Sequence, residues 1–319
     1  MQFFEQVLNG ITLGSIYALI AIGYTMVYGV IGMINFAHGE VYMVGAFVGL
    51  IVMTILSSIG ATMVPVYLIL MLIVAIAVTS VLGWSIERVA YRPLRGKHRL
   101  IPLISAIGMS FFLQNFMQLS QGARPFAVPQ LITGSFNLAE ILSNLFSDPA
   151  SDSAYSFSSL DFSISYMQLL IPLVTLVFMG LFTYFISKTK LGVACRATEQ
   201  DRRMANLLGI NTDSIISVIF VVGASLAAVA GVLVSLYYGT VRDTMGFIIG
   251  IKAFTAAVLG GIGSIPGAML GGFLLGFTES FASAYIGGDY KDIVSFVLLL
   301  LILLILPSGL LGKAEIEKV

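Results

Sequence analysis

The sequence predicts an all-α membrane protein, a polytopic bundle of eight to nine transmembrane helices. Of its 319 residues, 58% are hydrophobic and only 10% are charged, whereas soluble domains carry about a quarter charged residues. Several uncharged stretches, among them 66–86 and 214–239, have the roughly 20 apolar residues that a hydrocarbon core of about 30 Å requires. Backbone polar groups must be paired within lipid, so these stretches should be helices.

The individual spans follow from the apolar runs between charged residues. The region between 247 and 286 is rich in glycine and holds either one full helix with a re-entrant piece or two short helices. The chain therefore has eight or nine crossings within one transmembrane domain, 1–319. The other predicted spans lie near 4–31, 34–57, 64–87, 100–120, 166–187, 213–238 and 291–307.

The distribution of Lys and Arg predicts the orientation. Five of the sixteen lie in 88–99 and five more in 188–203, and short loops rich in these residues stay in the cytoplasm. The stretch 121–165 carries four carboxylates against Arg124 alone, so it should be a periplasmic loop. The N-terminus is then outside, and the C-terminus, with Lys313 and Lys318, is cytoplasmic. These assignments agree only for an odd number of spans, which favours nine.

Small residues recur at a spacing of four within the predicted spans, which lets helix backbones approach closely in lipid. The segments INFAHGEVYMVGAFVG (34–49) and GIKAFTAAVLGGIGSIPGAMLGG (250–272) also share a pattern but start from opposite sides of the membrane. This predicts an inverted repeat with broken helices, which usually line a substrate path. The glycine pairs are Gly10/Gly14, Gly45/Gly49, Gly267/Gly271 and Gly272/Gly276.

Asn35, His38 and Glu40 lie at the start of the second span. An ionisable group costs about 3 kcal/mol at the bilayer centre, so each one invites a functional question. At this spacing the three should share one helix face. They form either a polar patch on a translocation path or an interfacial cap, with Asn35 at the helix start and Glu40 in the first turn. Trp84 and Tyr91, by contrast, are typical interfacial anchors.

Lys252 begins the apolar run that leads to Gly260. In one interpretation its cation holds a substrate carboxylate or forms a gating salt bridge, with Glu279 as the candidate partner. In the other, it extends to the outer interface, as lysines at span ends do. The sequence leaves both open.

The segment 188–212 is the most informative piece outside the spans. It contains a predicted short amphipathic helix over 196–209, which Gly209 ends as a left-handed residue. Such a helix either lies along the membrane surface or is gripped by a soluble motor protein. Its apolar edge consists of Met204, Leu207, Leu208 and Ile210, and its charged face of Arg196, Glu199, Arg202 and Arg203.

Several classes of function are excluded. A net charge of zero gives no bulk attraction to nucleic acid. Cys195 is the single cysteine, so it is interpreted as a free thiol and a cysteine zinc site is excluded. His38 and His98 lie far apart in the sequence, which argues against an intramembrane enzyme. The sequence has no phosphate-binding GxxxxGK[ST] segment, so the chain should not hydrolyse ATP. We therefore expect a protein that is not an enzyme and that has no cofactor or metal.

Three segments together resemble the LivH-type permease family of ABC importers for branched-chain amino acids. They are NGITLGSIYALIAIGYTMVYGVIGMINFAHGEVYMVGAF (9–47), CRATEQDRRMANLLGIN (195–211) and KAFTAAVLGGIGSIPGAMLGG (252–272), and the resemblance covers nearly the whole chain. The middle segment is similar to the importer coupling loop, whose common form is Glu-Ala-Ala followed by glycine. Met204, Ala205 and Asn206 stand there, so only Ala205 and Gly209 match that form.

The resemblance implies half of a pore in a bacterial inner membrane, working by alternating access. Its implied partners are a second homologous permease subunit, two cytoplasmic ATP-binding subunits and a periplasmic amino-acid-binding protein. The ATPase contact would consist of Arg196, Glu199, Arg202, Arg203, Met204, Ala205 and Gly209. The segments 33–49 and 260–276 would face each other, or their counterparts in the partner permease, along the path. The predicted path residues are Asn35, His38, Glu40, Gly45, Lys252, Gly260 and Gly263.

Two alternatives stay open. A urea or short-chain amide permease of the same family would share the NFAHG-type segment and the coupling loop. An ion-coupled secondary transporter would be expected to carry several intramembrane carboxylates, and this sequence has few.

Overall fold

The structure is a computed structural model and describes residues 2–60, 63–98, 100–137 and 163–312. Eleven α-helices lie within these ranges. After α3 the chain continues through a π-helical turn, Glu87–Tyr91, and a 3-10 turn, Arg92–Leu94. The helices are α1 (Gln2–Ile31), α2 (His38–Ser58), α3 (Val64–Ile86), α4 (Leu100–Gln121), α5 (Tyr166–Lys188), α6 (Lys190–Gln200), α7 (Arg202–Leu207), α8 (Thr212–Tyr238), α9 (Met245–Gly260), α10 (Ile265–Tyr285) and α11 (Lys291–Ile305).

Seven of the helices, α1 to α5, α8 and α10, are long and apolar enough to cross a membrane. Helices α9 and α11 contain 16 and 15 residues, which at 1.5 Å per residue extend only about 24 and 22 Å. The predicted helical membrane bundle is confirmed, and the eight or nine predicted crossings approximate seven full-length and two shorter apolar helices. The region 247–286 consists largely of the shorter α9 and the full-length α10.

Within the described ranges, four short strands form two antiparallel pairs. Strand β1 (Phe126–Ala127) pairs with β4 (Thr240–Val241), and β2 (Ser135–Asn137) pairs with β3 (Ser163–Ser165). Three of them belong to the predicted outer loop 121–165. The four carboxylates of that loop lie outside the described residues, as do Lys313 and Lys318.

Helices α1 and α8 form the centre of the bundle. Most residues between Gly10 and Val27 of α1 and between Gly223 and Leu236 of α8 are buried. Helices α3, α4 and α5 bury only a narrow side and expose apolar side chains such as Leu119. Exposed apolar helix faces of this kind suit lipid, where the helix satisfies its own backbone. The chain is therefore a multi-pass membrane protein.

The two ends of the bundle differ in charge. The basic end carries the loop 92–98 and helices α6 and α7, and the opposite end carries the four strands. Helix α1 runs toward the basic end, where its Gly29 lies against Glu199 of α6. Helix α8 begins at the basic end directly after α7 and runs away from it.

The small residues predicted at helix contacts do mediate close packing. In α10, Gly272 lies on Ala18 of α1, where an added Cβ would stand 2.6 Å from the Ala18 Cα. In the same contact, Gly14 of α1 packs on Phe273. Backbones can approach this closely only where side chains are absent or small, so α1 and α10 form a tight antiparallel pair.

Helices α2 and α9 both begin inside the bundle. The first residue of α2, His38, lies beside Gly23, well before the end of α1. Helix α2 runs away from the basic end alongside α8, whereas α9 runs toward it beside α10. Their first turns meet where Gly39 packs on Gly246 and Gly250. Two broken helices that start from opposite directions fit the predicted inverted repeat.

Candidate functional site

Asn35 does not cap α2, contrary to one of the two predictions. The N-cap position is Ala37, which makes no side-chain capping hydrogen bond. The Asn35 side-chain oxygen instead accepts a 2.6 Å hydrogen bond from the Tyr91 hydroxyl, and both residues are buried. Tyr91 is therefore not the interfacial anchor predicted from the sequence. It is buried between the 32–37 connection and the end of α3. Trp84 is 41% exposed, in keeping with an interfacial position.

His38 lies between α1 and α8. Its ring packs edge-on against Tyr24 with 4.8 Å between the ring centroids and hydrogen-bonds to the backbone of Ile20. Gly23 and Gly223 provide the space, since a Cβ at Gly23 would stand 2.7 Å from the His38 Cε1. Within the described residues, Nε2 of this buried ring has no hydrogen-bond partner. The imidazole therefore keeps one free hydrogen-bonding position in the centre of the bundle.

Glu40 is fully buried at the meeting point of α2 and α9. Its Oε1 accepts a 3.1 Å hydrogen bond from Ser110 of α4. Its Oε2 lies against Gly246 in the first turn of α9 and has no hydrogen-bond partner in the described part of the chain. The side chain of Thr244, the N-cap residue of α9, makes no capping hydrogen bond. The Glu40 carboxylate therefore stands beside an uncapped, positive helix end. Asp243 is close enough to repel it.

The predicted common face of Asn35, His38 and Glu40 is wrong. Asn35 lies before the helix and faces the turn after α3, His38 faces α1 and α8, and Glu40 faces α4 and α9. The periodicity argument assumed a helix already present at Asn35 and exposed on one side, whereas this end of α2 is enclosed by helices.

Lys252 is buried, with 4% of its surface exposed, and is paired twice. Its Nζ lies 2.7 Å from Oε1 of Glu279 in α10 and 2.6 Å from Oδ1 of Asp292 at the start of α11. Tyr17 of α1 donates a 2.6 Å hydrogen bond to the other Glu279 oxygen, and Lys291 stands 3.9 Å from Oε1. The predicted pair with Glu279 is confirmed, and extension to the interface is wrong. With two carboxylates on its ammonium, Lys252 is not free to hold a substrate carboxylate in this conformation.

Gly45 serves a helix contact. It packs on Ala228 of α8, where an added Cβ would stand 2.7 Å from the Ala228 Cα. Helix α2 therefore lies against α8, and through Gly39 against the first half of α9. The predicted contact of the segments 33–49 and 260–276 within one chain is thus replaced by a contact between α2 and residues 246–250.

Gly260 is the last residue of α9, and Gly263 lies in the turn between α9 and α10 at the basic end. Gly260 faces Gly267, and its carbonyl accepts a 2.9 Å hydrogen bond from the Leu311 backbone. Gly263 has a φ of 91°, a left-handed conformation that favours glycine, and stands near Glu199. Both glycines shape this turn, and 260–276 packs mainly against α9 and α1.

The predicted single helix over 196–209 is two helices. Helix α6 ends at Gln200, and Asp201 has an extended backbone with a φ of −154°. The Asp201 carboxylate caps α7 by accepting hydrogen bonds of 2.8 and 3.0 Å from the backbone N–H groups of Arg203 and Met204. The predicted end at Gly209 is confirmed, since its φ is 84°. Asp at a helix start is a signal that the sequence did contain.

The surface of α7 and the turn after it is apolar and exposed. Leu207 and Leu208 are 81% and 78% exposed, and Met204 is 56% exposed, whereas Ala205 is buried. Arg203 is exposed beside these side chains. A protruding apolar patch with a charged rim is typical of a surface that contacts another protein.

Of the remaining residues predicted to contact the ATPase, some are exposed to solvent and others contact the helix bundle. Arg196 is exposed on α6. Glu199 lies against Gly29 of α1 and near Gly263. Arg202 lies 3.1 Å from Asp213 at the start of α8. Only part of the predicted set is therefore available to a partner.

Asp213 is the centre of an ion-pair network at the basic end that sequence reasoning missed. It pairs with Arg92, Arg95 and Arg202, and Arg95 also pairs with the buried Glu87. Burial lowers the pKa of the Arg95 guanidinium, and both carboxylates oppose that shift. The network joins the turns after α3 to α7 and α8. Arg92 and Arg95 lie more than a hundred residues from Asp213 in the sequence, so no local pattern indicated the network.

Cys195 faces the interior of the basic end. It is 3% exposed, and burial raises the pKa of its thiol to about 11. Because the thiolate is the reactive form, this cysteine is chemically quiet at neutral pH. In the described segments, no three or more His, Cys, Asp or Glu residues come together as metal ligands.

Comparisons with known proteins give one consistent family. The profile described as branched-chain amino acid transport system / permease component matches residues 6–303. The high-affinity branched-chain amino acid transport system permease protein BraD of Pseudomonas aeruginosa is 55% identical over 100% of this chain and 98% of its own length. LivH of Salmonella typhimurium, which bears the same description, is 52% identical over the same shares. The probable branched-chain amino acid transport permease protein LivH of Methanocaldococcus jannaschii is 26% identical over 97% and 92%. No solved structure matches the chain. The chain belongs to the family of permease components of branched-chain amino acid transport systems.

Proposed function

We propose that this chain is the translocating subunit of an ABC importer that carries branched-chain, aliphatic amino acids into the cell. The observation that carries the proposal is the match, over the full length of the chain, to permease proteins named for branched-chain amino acid transport. Those names favour this cargo over urea or a short-chain amide. Membership of the same family also favours a driven importer over an ion-coupled secondary transporter.

The path is proposed to pass the meeting point of α2 and α9. The free Oε2 of Glu40 lies at this point against Gly246, and the free Nε2 of His38 lies on the other side of the first turn of α2, against Gly23 of α1. The surrounding backbone is lined by Gly39, Gly246 and Gly250. A zwitterionic amino acid with an aliphatic side chain needs a few polar contacts and largely apolar walls. Weak contacts also allow it to leave again. Separation of α2 from α9 would open this position.

The Lys252 cluster is proposed as a gating element. Lys252 of α9 joins Glu279 of α10 to Asp292 of α11. A buried ion pair is stable only while its two charged groups stay in close contact, because their attraction must offset the cost of removing both charges from water. Asp292 is 46% exposed, so it is the partner that can exchange Lys252 for water when α9 moves. The ion pairs of Lys252 would thus form or break as α9 moves relative to the neighbouring helices.

The exposed patch of α7 is proposed as the contact for an ATP-binding subunit. In this proposal the basic end is cytoplasmic, because its loops carry most of the Lys and Arg residues. The N-terminus is then outside and the C-terminus cytoplasmic. Two ATP-binding subunits engage the basic end, a periplasmic amino-acid-binding protein engages the opposite end, and a second homologous permease completes the pore.

Reconstituted transport tests the proposal. The chain, co-expressed with the second permease and the ATP-binding subunits and supplied with its binding protein, should take up labelled leucine into proteoliposomes only when ATP is present. Labelled urea and acetamide should not accumulate. Uptake of urea without leucine would replace the cargo assignment. Leucine uptake driven by an ion gradient in the absence of ATP would replace the mechanism.

A further inference from the structure

A cavity at the basic end has a composition that the proposed transport does not explain. It lies between the end of α1, the turns after α3, the start of α4 and the start of α7, and it opens to the surroundings with a volume of about 170 Å³. Arg95, Lys97 and Arg202 contribute cationic groups, while Ile31, Leu94 and Pro102 contribute apolar ones.

The cations at this cavity exceed the carboxylates that contact them. The Arg95 side chain is only 9% exposed and pairs with Glu87 and Asp213, but its buried Nε has no hydrogen-bond partner in the described part of the chain. Arg202 shares Asp213 with Arg95. Lys97 is exposed and forms no ion pair among residues that the structure describes. The cavity therefore carries a net positive charge, and the exposed ammonium of Lys97 has unused donors, which together favour an anion.

An exposed apolar track continues from the cavity along α4. Leu100, Ile101 and Ile104 flank Pro102 and are 56%, 43% and 67% exposed. Because α4 is one of the helices with a narrow buried side, these side chains face lipid in a membrane. A ligand with an anionic head and hydrocarbon chains would satisfy both parts at once, and basic pockets between transmembrane helices bind such headgroups.

We propose that this cavity binds a phosphate group, and that an anionic membrane phospholipid presents it. The phosphate lies against Arg95 and Lys97, and the acyl chains follow the exposed side of α4. Lys97 supplies charge-assisted hydrogen bonds to phosphate oxygens, and the paired Arg95 guanidinium adds positive charge at the cavity wall. Lipid bound there would contact the turns after α3 and Arg202, the first residue of α7.

Native mass spectrometry of the full-length chain in detergent, titrated with phosphatidylglycerol or phosphatidylcholine, tests the proposal. Wild type should retain phosphatidylglycerol in preference to phosphatidylcholine. Lys97→Gln should weaken that retention about fivefold, as expected for one lysine at an anionic lipid surface. Lys97→Arg should restore it. Lys190→Gln removes the same charge from exposed α6, outside the cavity, and should leave retention unchanged.

Two outcomes overturn the proposal in distinguishable ways. Equal retention by the Lys97→Gln and Lys190→Gln variants would show that the cavity does not hold the lipid. In a parallel arm with inorganic phosphate alone, tight binding that depends on Lys97, without retention of phosphatidylglycerol, would assign the cavity to soluble phosphate and exclude the lipid.

Discussion

At the residue scale, Arg202 and Arg203 are adjacent in the sequence but have different surroundings. Arg202 points back to the bundle and pairs with Asp213, whereas Arg203 is exposed beside the apolar patch of α7. A helix turns about 100° per residue, so neighbours on a short helix face different directions. The sequence identified both as charged residues of the loop, but only the fold separates their roles.

We predict that Arg203→Glu uncouples the importer while Arg202→Glu weakens the bundle. Reversing the charge at a partner surface should lower substrate-stimulated ATP hydrolysis of the assembled complex roughly tenfold, the scale of one important interface residue. Arg202→Glu should instead lower the melting temperature of the isolated subunit, because it places a carboxylate beside Asp213. Arg203→Lys is the matched control and should retain most of the coupling. Normal coupling with Arg203→Glu would remove α7 from the ATPase contact.

Lys252 and Glu279 form a pair whose members need each other. We predict that Lys252→Met lowers the stability of the purified subunit by about 3 kcal/mol, because Glu279 is left buried without its closest cation. The double variant Lys252→Met/Glu279→Gln should recover most of that loss, since the amide still accepts the hydrogen bond from Tyr17. Asp292→Asn changes a half-exposed partner and should have a smaller effect. Thermal unfolding of wild type, these three variants and the single variant Glu279→Gln measures this, and a loss in the double variant equal to the sum of the two single losses would contradict a coupled pair.

The Lys252 pair also shows what sequence reasoning could reach at this scale. An isolated lysine and an isolated glutamate in apolar segments each require a partner, so their pairing was predictable from the cost of burying charge. Tyr17 and Asp292 were not predictable in this way. Tyr17 lies in α1, 262 residues from Glu279, and only the packing of α1 on α10 brings them together.

At the element scale, α2 is held by backbone contacts that leave no room for side chains. Glycines of α2 pack on α8 and on the first turn of α9, and this position inside the bundle is what buries the polar residues at its start. Bulky changes at Gly45 should therefore act on packing first, and a loss of transport alone would not identify a path residue.

We predict that Gly45→Ala lowers subunit stability by about 1–3 kcal/mol, the usual cost of adding a methyl group to a tightly packed contact. The matched control is Gly108→Ala in α4, where nothing lies within 4 Å of an added Cβ. That substitution should be neutral or stabilising by up to about 1 kcal/mol, because alanine favours the helix over glycine. Melting temperatures in detergent compare the two, and equal effects would contradict the packing assignment.

The segment 188–212 shows why the predicted element boundaries were wrong although the predicted element types were correct. Helix was predicted correctly on both sides of Asp201, since the residues around it favour helix. The break arises because the Asp201 carboxylate caps the backbone of the following turn, a local competition that periodicity does not register. The prediction of a common face at the start of α2 was wrong for a different reason. Four neighbouring helices enclose this helix end, and that enclosure is a property of the whole bundle.

At the scale of the whole molecule, the apolar runs predicted the main helices in their order along the chain, and the predicted boundaries were correct to within a few residues. They could do so because lipid imposes one requirement on every span, an internally paired backbone beneath apolar side chains. Which helices lie at the centre, and where α2 and α9 meet, depends on contacts between distant segments. The ion-pair network around Asp213, which connects the turns after α3 to α7 and α8, has the same origin.

The orientation of the whole bundle is the last prediction. Cys195 is a poor reporter of sidedness, because it is buried and the pKa of its thiol is raised to about 11. Since only the thiolate reacts, labelling at neutral pH should be slow from either side and should rise only as the pH approaches that value. Wild type therefore serves as an unreactive background for introduced cysteines. Leu207→Cys places an exposed thiol at the basic end, and Ala123→Cys places one at the opposite end. In intact spheroplasts, a membrane-impermeant maleimide should label Ala123→Cys at once and Leu207→Cys only after the membrane is opened. The reverse labelling pattern would mean that the chain has the opposite orientation in the membrane, and α7 would then face away from any cytoplasmic ATPase.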